Sequence, residues 1–300
     1  MELWRRIVKF WQTAALAGAA LVLAKPAVAA AEEAVARGAY VFKAAGCLGC
    51  HTDAKGGGAP LAGGRALKTP FGTFYSPNIT PDPQHGIGRW SLEDFVRAMR
   101  HGRGPDGTRY FPVFPYPSFT GMTDADLTDL KAYLDAQPAV PQANRDHEIR
   151  FPFGIRLSML PWNWLYLTSG AYEPDPARDE QWNRGAYLVR HLSHCGECHT
   201  PRNWMGAIDG ARELAGTRDG PEGGAVPNIT PHPTGIGDWS DGDLDFLFTI
   251  GLLPDGDIVG GGMAEVVENS TGALTEADRA AIVAYLRAVP AVENVVSTKD

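Results

Sequence analysis

Cys47-Leu48-Gly49-Cys50-His51 returns at Cys195-Gly196-Glu197-Cys198-His199, and this five-residue pattern decides the fold. Two thiols three positions apart reach the two vinyl groups on one edge of a porphyrin and form thioethers. The histidine that follows turns under the ring to ligate iron, which is the spacing that attaches a c-type haem. The two copies use all four cysteines of a 300-residue chain that has eight histidines. A four-thiolate zinc site is the rival use of two Cys-x-x-Cys pairs, but it leaves the histidine after each pair unexplained. A disulfide framework would cross-link residues only three apart and ranks below haem.

Outward from the motifs, a long segment repeats. Asn78-Ile79-Thr80-Pro81 and the following residues to Trp90-Ser91 return as Asn228-Ile229-Thr230-Pro231 to Trp239-Ser240. Arg37-Gly38-Ala39-Tyr40 matches Arg184-Gly185-Ala186-Tyr187, and Pro105-Asp106-Gly107 matches Pro254-Asp255-Gly256. The chain therefore reads as two copies of a unit of about 110 residues, a common domain size: 31–140, a connector 141–180, and 181–300.

Each unit reads as helices separated by long loops. A first helix, near Glu33 to Ala45 and again near Gln181 to Leu192, runs into the haem motif. A second starts at Ser91, which caps it with Asp94 three residues on, and stops near Gly102; Ser240 and Asp243 repeat that start. A last helix starts at Thr123 with Asp126 and carries Leu127, Leu130, Tyr133 and Leu134 on one face. Thr275, Asp278, Ile282, Tyr285 and Leu286 repeat it. No alternating apolar run of sheet-forming length appears, so the expected class is all-α: two tandem cytochrome c domains, each wrapped around one covalently attached haem.

The N-terminus opens with Arg5, Arg6 and Lys9, continues with an apolar run from Thr13 to Ala24 and ends in small residues after Pro26. This is the pattern of a signal peptide over 1–30. The run falls short of the ~20 residues that cross a bilayer, and an uncleaved anchor is the alternative. Export to the periplasm agrees with c-type haem. The formal net charge of −8 includes +3 from residues 1–30, so the remainder is more acidic still. A basic footprint for nucleic acid is absent. Gly and Pro, 35 and 23 residues, exceed average usage and signal long loops, which a large apolar cofactor can gather around itself.

The chain resembles the multihaem cytochrome c subunits of bacterial periplasmic dehydrogenase complexes, which serve alcohol, gluconate, fructose and molybdenum-dependent aldehyde dehydrogenases. The likeness rests on Gly63-Gly64-Arg65, Thr69-Pro70-Phe71-Gly72-Thr73, both Asn-Ile-Thr-Pro segments, Phe114-Pro115-Tyr116 and Trp182-Asn183-Arg184-Gly185-Ala186-Tyr187-Leu188. It continues through His194 and the second haem motif to Thr200-Pro201-Arg202-Asn203. Alcohol and gluconate members carry three haems, where two motifs stand here.

The sixth iron ligand separates electron transfer from chemistry at iron, because iron with both axial positions filled by protein does not readily bind oxygen or peroxide. Met263, on the flexible glycine loop Gly260-Gly261-Gly262 between the second and last helices, is expected to serve the second iron, with a core-filling role as the alternative. Members of the resembled family often have methionine at the place of Phe114, so Met122 is the thioether expected at the first iron, with His101 or His85 as alternatives and Met99 read as core. Arg65 and Arg212 are candidates for forking onto haem propionates or are ordinary surface arginines. Trp90 and Trp239 either donate to a propionate or pack as core. His191 and His194 read as solvent-exposed helix-end residues, with a ligand role as the alternative, and His147 and His232 lie in loops with no evident metal partner. The apolar connector from Arg150 to Leu167 is expected to pack the units together, to leave a docking surface, or both.

Taken together, the sequence reads as a periplasmic dihaem c-type cytochrome with two covalently bound haem c groups. It takes electrons from a dehydrogenase catalytic subunit and passes them to a quinone, another cytochrome or an oxidase, and it associates with the membrane peripherally through the complex. It is expected to be an electron carrier and not an enzyme. The alternative is a dihaem peroxidase or thiosulfate dehydrogenase with an open or unusually ligated iron.

Overall fold

The computed structural model describes residues 29–220 and 223–296. The segment expected to be a signal peptide, 1–30, therefore lies almost wholly outside the described residues. Helix α1 covers 29–44 and gives way to α2, Cys47–His51, through Gly46 at φ 63°. A short antiparallel sheet follows, β1 (Ala66–Thr69) against β2 (Gly72–Tyr75), to which β3 (Glu148–Ile149) adds on the far side of β2. Between β2 and β3 lie α3 (Leu92–His101), α4 (Tyr116–Phe119) and α5 (Asp124–Asp135).

After β3 come a single 3-10 turn, Arg156–Ser158, and α6 (Met159–Tyr166). Helix α7 (Glu180–Tyr187) continues as a wider π turn, Leu188–Leu192, into α8 (Gly196–His199). The chain then forms α9 (Asp241–Ile250), α10 (Gly261–Asn269) and α11 (Glu276–Ala288).

The structure is mostly helical, and the small sheet departs from the all-α expectation. Strands of four, four and two residues are too short to carry a readable alternation. Their turn is set instead by Gly72 at φ 134°, with the Thr69 hydroxyl donating to the Gly72 carbonyl at 2.9 Å. A second departure concerns Met263, which lies in helix α10 and not in a flexible glycine loop. The run Ala264-Glu265-Val266-Val267-Glu268 sustains that helix once the glycines have been passed.

The helix starts follow local chemistry. Ser91 and Asp94 form a reciprocal capping box, as do Ser240 and Asp243, and each helix ends at a left-handed glycine, Gly102 or Gly251. Thr123 and Thr275 cap α5 and α11 by accepting from the amides of Asp126 and Asp278.

In each repeat the first and last helices cross where the first has a glycine. A Cβ built on Gly38 would fall 1.9 Å from the Asp129 carbonyl oxygen, and one on Gly185 would fall 2.0 Å from that of Ala281. Ion pairs lie beside both crossings: Arg37 with Asp129 at 2.6 Å, and Arg184 with Asp278 at 2.7 Å.

The repeats share one hydrophobic core, which runs from Val41, Phe42 and Leu127 of the first to Leu188, Val189 and Ile282 of the second. Their contacts across the seam are reciprocal. Tyr40 of α1 donates to Asp278 Oδ2 at 2.6 Å and accepts from the Thr275 amide at 3.1 Å. Tyr187 of α7 does the same in reverse, donating to Asp126 and accepting from the Thr123 amide. The connector divides its side chains. Met159 and Trp162 are buried against Phe74, Phe111 and Tyr116, while Phe151 and Trp164 are 88% and 84% exposed.

Candidate functional site

Each motif forms a short helix of its own, Cys47–His51 in the first repeat and Gly196–His199 after the N-cap Cys195 in the second, so its two cysteines and its histidine lie within little more than one turn. The four sulfurs are thiols, with none in a disulfide. Burial, and then the neighbouring cysteine, push the Cys47 and Cys195 thiols up to about 12, so both are protonated at neutral pH. An S–H of this kind is what adds across a vinyl group to make a thioether.

The histidines are oriented identically. Nδ1 of His51 lies 2.8 Å from the carbonyl oxygen of Pro77, and Nδ1 of His199 lies 2.8 Å from that of Pro227. A carbonyl only accepts, so Nδ1 carries the proton and Nε2 keeps its lone pair for a metal. Burial lowers the pKa of both rings, against the raising effect of the carbonyl, and so favours the neutral imidazole that ligates iron.

The proline carbonyls are themselves held in place. Asn78, buried, accepts from the Thr80 amide and hydroxyl at 2.9 and 2.7 Å, and its own amide donates to the Val140 and Gln142 carbonyls. Asn228 accepts from Thr230 in the same way and donates to the Val292 carbonyl. Gly63 and Gly216 lie against these segments, where a Cβ would fall 2.5 Å from the carbonyl carbon of Pro77 or Pro227. Their amides donate to the His51 and His199 carbonyls at 2.9 and 2.7 Å. The thiols, the fixed ring tautomer and the close glycine approach fit a covalently attached haem, and they occur twice. The sequence signal for this scaffold was the repeated Asn-Ile-Thr-Pro segment, whose part in aiming the histidine became visible only in the structure.

Arginines cover both motifs. Arg65 donates to the Gly49 carbonyl at 2.7 Å and pairs with Glu265 at 2.6 Å. Arg202 donates to the Glu197 carbonyl at 3.0 Å and pairs with the Glu197 carboxylate. Arg212 is exposed. Trp90 and Trp239 are half-buried against the shared core. Met99 is buried in that core, as the sequence suggested.

Met122 is fully buried in the shared core, and Met263 is half-buried against it. By position Met263 matches Phe114, since each follows its Pro-Asp-Gly turn at the same interval, and Phe114 packs on the same core. Met122 matches Leu274, each standing one residue before a capping threonine. The helix that carries Met263 also lies against the first motif, with Glu265 on Arg65 and a Cβ built on Gly49 falling 3.7 Å from the Asn269 side chain.

His191 and His194 are not solvent-exposed helix ends. Both are half-buried in the seam, His191 within the π turn after α7 and His194 just past it. Nδ1 of His191 donates to the Ser118 carbonyl at 3.0 Å, and His194 packs edge-on against Phe119 at 5.2 Å.

Comparison with known proteins agrees with this geometry. The cytochrome c family model matches residues 35–137. The chain is 47% identical over 262 residues to a "Diheme cytochrome c-type" protein of Cereibacter sphaeroides, which covers 86% of both chains. It is 43% identical over 261 residues to the fructose dehydrogenase cytochrome subunit of Gluconobacter japonicus, covering 86% of this chain and 53% of the relative. It is 38% identical over 286 residues to the cytochrome c subunit of a quinone alcohol dehydrogenase of Gluconacetobacter polyoxogenes, covering 92% of this chain and 60% of the relative.

Proposed function

The chain belongs to the c-type cytochrome family that includes dihaem cytochromes and the cytochrome subunits of dehydrogenases, and from that membership we propose that it is a dihaem electron carrier. It takes electrons from the catalytic subunit of a periplasmic dehydrogenase and delivers them to a quinone, another cytochrome or an oxidase. It is not itself the catalyst. The observation that carries this reading is the pairing of two thiols with a histidine whose Nδ1 is tied to a proline carbonyl, present once in each repeat.

In this reading residues 31–140 and 181–300 are two haem domains, and 141–180 joins them. Cys47, Cys50, Cys195 and Cys198 hold the two haems by thioether bonds, and His51 and His199 are the proximal iron ligands. Met263 is the sixth ligand of the second iron and Met122 that of the first. Bound haem supplies one-electron storage at iron. The chain's own residues fix the proximal imidazole, keep it neutral and shield the site from water. The exposed aromatic face of the connector, with Phe151 and Trp164, is the docking surface for the donor. Membrane association is peripheral and runs through the partner complex. Among the described residues no helix is long and apolar enough to cross a membrane.

The test is carbon monoxide binding to the reduced protein, with peroxide and thiosulfate turnover measured beside it. A carrier with both axial positions filled binds little carbon monoxide and turns over neither substrate. Met122→Leu exchanges side chains of similar volume and should open one iron to carbon monoxide. A Met122→Leu protein that behaves like its parent removes Met122 from the ligand set.

A further inference from the structure

The helix that carries Met263 is weak where it begins. Helix α10 opens on Gly260, Gly261 and Gly262, none of which has a packing neighbour within 4 Å of where a Cβ would stand, and no side chain caps it. Glycine is among the poorest helix formers, and of the nine residues of α10 only Val267 is buried. A ligand on the first turn of such a helix needs the helix held from outside.

What holds it is the other repeat. Two residues beyond Met263, Glu265 pairs with Arg65 at 2.6 Å. The Arg65 Nη1 that makes this contact also donates to the Gly49 carbonyl at 2.7 Å, inside the first attachment motif. One turn on, the Asn269 side chain donates to the Glu265 carbonyl at 3.0 Å and faces Gly49, where a Cβ would fall 3.7 Å from its nitrogen. Ser270, which ends the helix, is buried and donates its hydroxyl to the Ala44 carbonyl at 2.8 Å. Glu265, Asn269 and Ser270 share one face of α10, and that face rests on the run 44–49 of the first repeat.

The arrangement is one-sided. Since Met263 matches Phe114, Glu265 matches Tyr116, and Tyr116 donates instead to Asn163 of the connector at 2.5 Å. Leu61-Ala62-Gly63-Gly64-Arg65 aligns with Leu214-Ala215-Gly216-Thr217-Arg218, and Arg218 is exposed. Among the described residues the charged link therefore stands only on the side of the seam where the repeat offers a methionine.

Resting on the reading of Met263 as the sixth ligand of the second iron, we propose that Arg65 is a positioning residue for that ligand, acting across the seam through Glu265. Arg65 belongs to the first repeat, yet it sets how firmly the second iron keeps its thioether. Without the link α10 lifts more often, and the second iron opens to a small outside ligand.

The experiment uses the full mature protein, each variant first weighed to show two attached haems, with imidazole as the outside ligand. Imidazole competes with the methionine for oxidised iron, so its apparent affinity rises with the fraction of molecules in which the methionine is away. Arg65→Met keeps the stem and removes the donors, and Glu265→Ala removes the other partner with a residue that suits a helix. In both, imidazole should bind the second haem about tenfold more tightly than in the parent, the order expected for loss of a hydrogen bond between charged groups. Arg65→Lys, which still carries a charged donor, should restore most of the parent's value. Amide hydrogen exchange over 261–269 should quicken in Arg65→Met and Glu265→Ala. Met263→Leu identifies the second haem by the part of the sulfur-to-iron absorption band that it removes. If it removes that part while Arg65→Met and Glu265→Ala bind imidazole as weakly as the parent, the positioning role is overturned. Tighter binding at the first haem instead would also overturn it and assign Arg65 to its own motif. If Met263→Leu leaves both the band and the imidazole affinity unchanged, Met263 is not bound to iron, and the underlying reading fails and takes the proposal with it.

Discussion

The Tyr40 hydroxyl lies 2.6 Å from Asp278 Oδ2, so a residue of the first repeat's opening helix completes the cap of the second repeat's closing helix. Tyr187 returns the same contact to Asp126. Because each tyrosine also accepts from the capping threonine's amide, its removal leaves two groups short of a partner. Tyr40→Phe should lower the stability of the whole chain by about 1.5–3 kcal/mol, the range for a hydrogen bond to a charged group. Tyr187→Phe should match it. The check is a urea titration, and an unchanged midpoint in both variants would contradict the reciprocal seam.

The same carboxylate predicts an acid limit. Burial pushes Asp278 up, but the hydrogen bonds from Arg184 and Tyr40 and the Arg184 charge outweigh it and hold the group below its ordinary value. A depressed carboxylate contributes stability that is complete above its unfolded pKa of about 3.9 and is lost as the pH falls through the folded value. Stability should therefore drop below about pH 4, and Asp278→Asn should flatten that part of the profile. A parent and variant with parallel acid profiles would show that Asp278 is not responsible.

The glycines at the helix crossings give a steric prediction. A methyl on Gly38 or Gly185 would meet a backbone oxygen that no rotamer change can move. Either Gly→Ala variant should lose about 1–3 kcal/mol or more and yield less mature protein. Gly210→Ala, where a Cβ meets nothing within 4 Å, is the control and should be neutral. Thermal unfolding of the three proteins decides the point.

Much of this was legible in the sequence because it is local. The Cys-x-x-Cys-His spacing, the Ser91–Asp94 and Ser240–Asp243 capping boxes and the Thr123 and Thr275 caps depend on residues within three or four positions of one another. What stayed hidden was long-range. The Pro77 and Pro227 carbonyls that orient His51 and His199 lie 26 and 28 residues away. A backbone acceptor also leaves no mark on residue type. The strands escaped notice because four residues cannot display a period, and the burial of His191 and His194 depends on a seam 73 residues from the Ser118 carbonyl that His191 bonds. Arg37-Gly38-Ala39-Tyr40 and its copy were visible as a repeat, but their meaning as a helix crossing and a crossed cap needed coordinates.

For the sixth ligand of the second iron, Met263→His should lower the reduction potential of one haem and leave the other unchanged, since a thioether favours reduced iron relative to imidazole. A spectroelectrochemical titration measures it. An unchanged potential, with the sulfur-to-iron absorption band retained, would show that Met263 is not bound to iron.

Whether both repeats carry a covalently attached haem is read most directly from the mass of the mature protein after acid-acetone extraction. The expected result is a mass gain of two haems, with none released into the solvent, and a gain of only one when Cys195 and Cys198 are both changed to serine. Haem that leaves with the solvent, or a parent protein that retains only one, would contradict it.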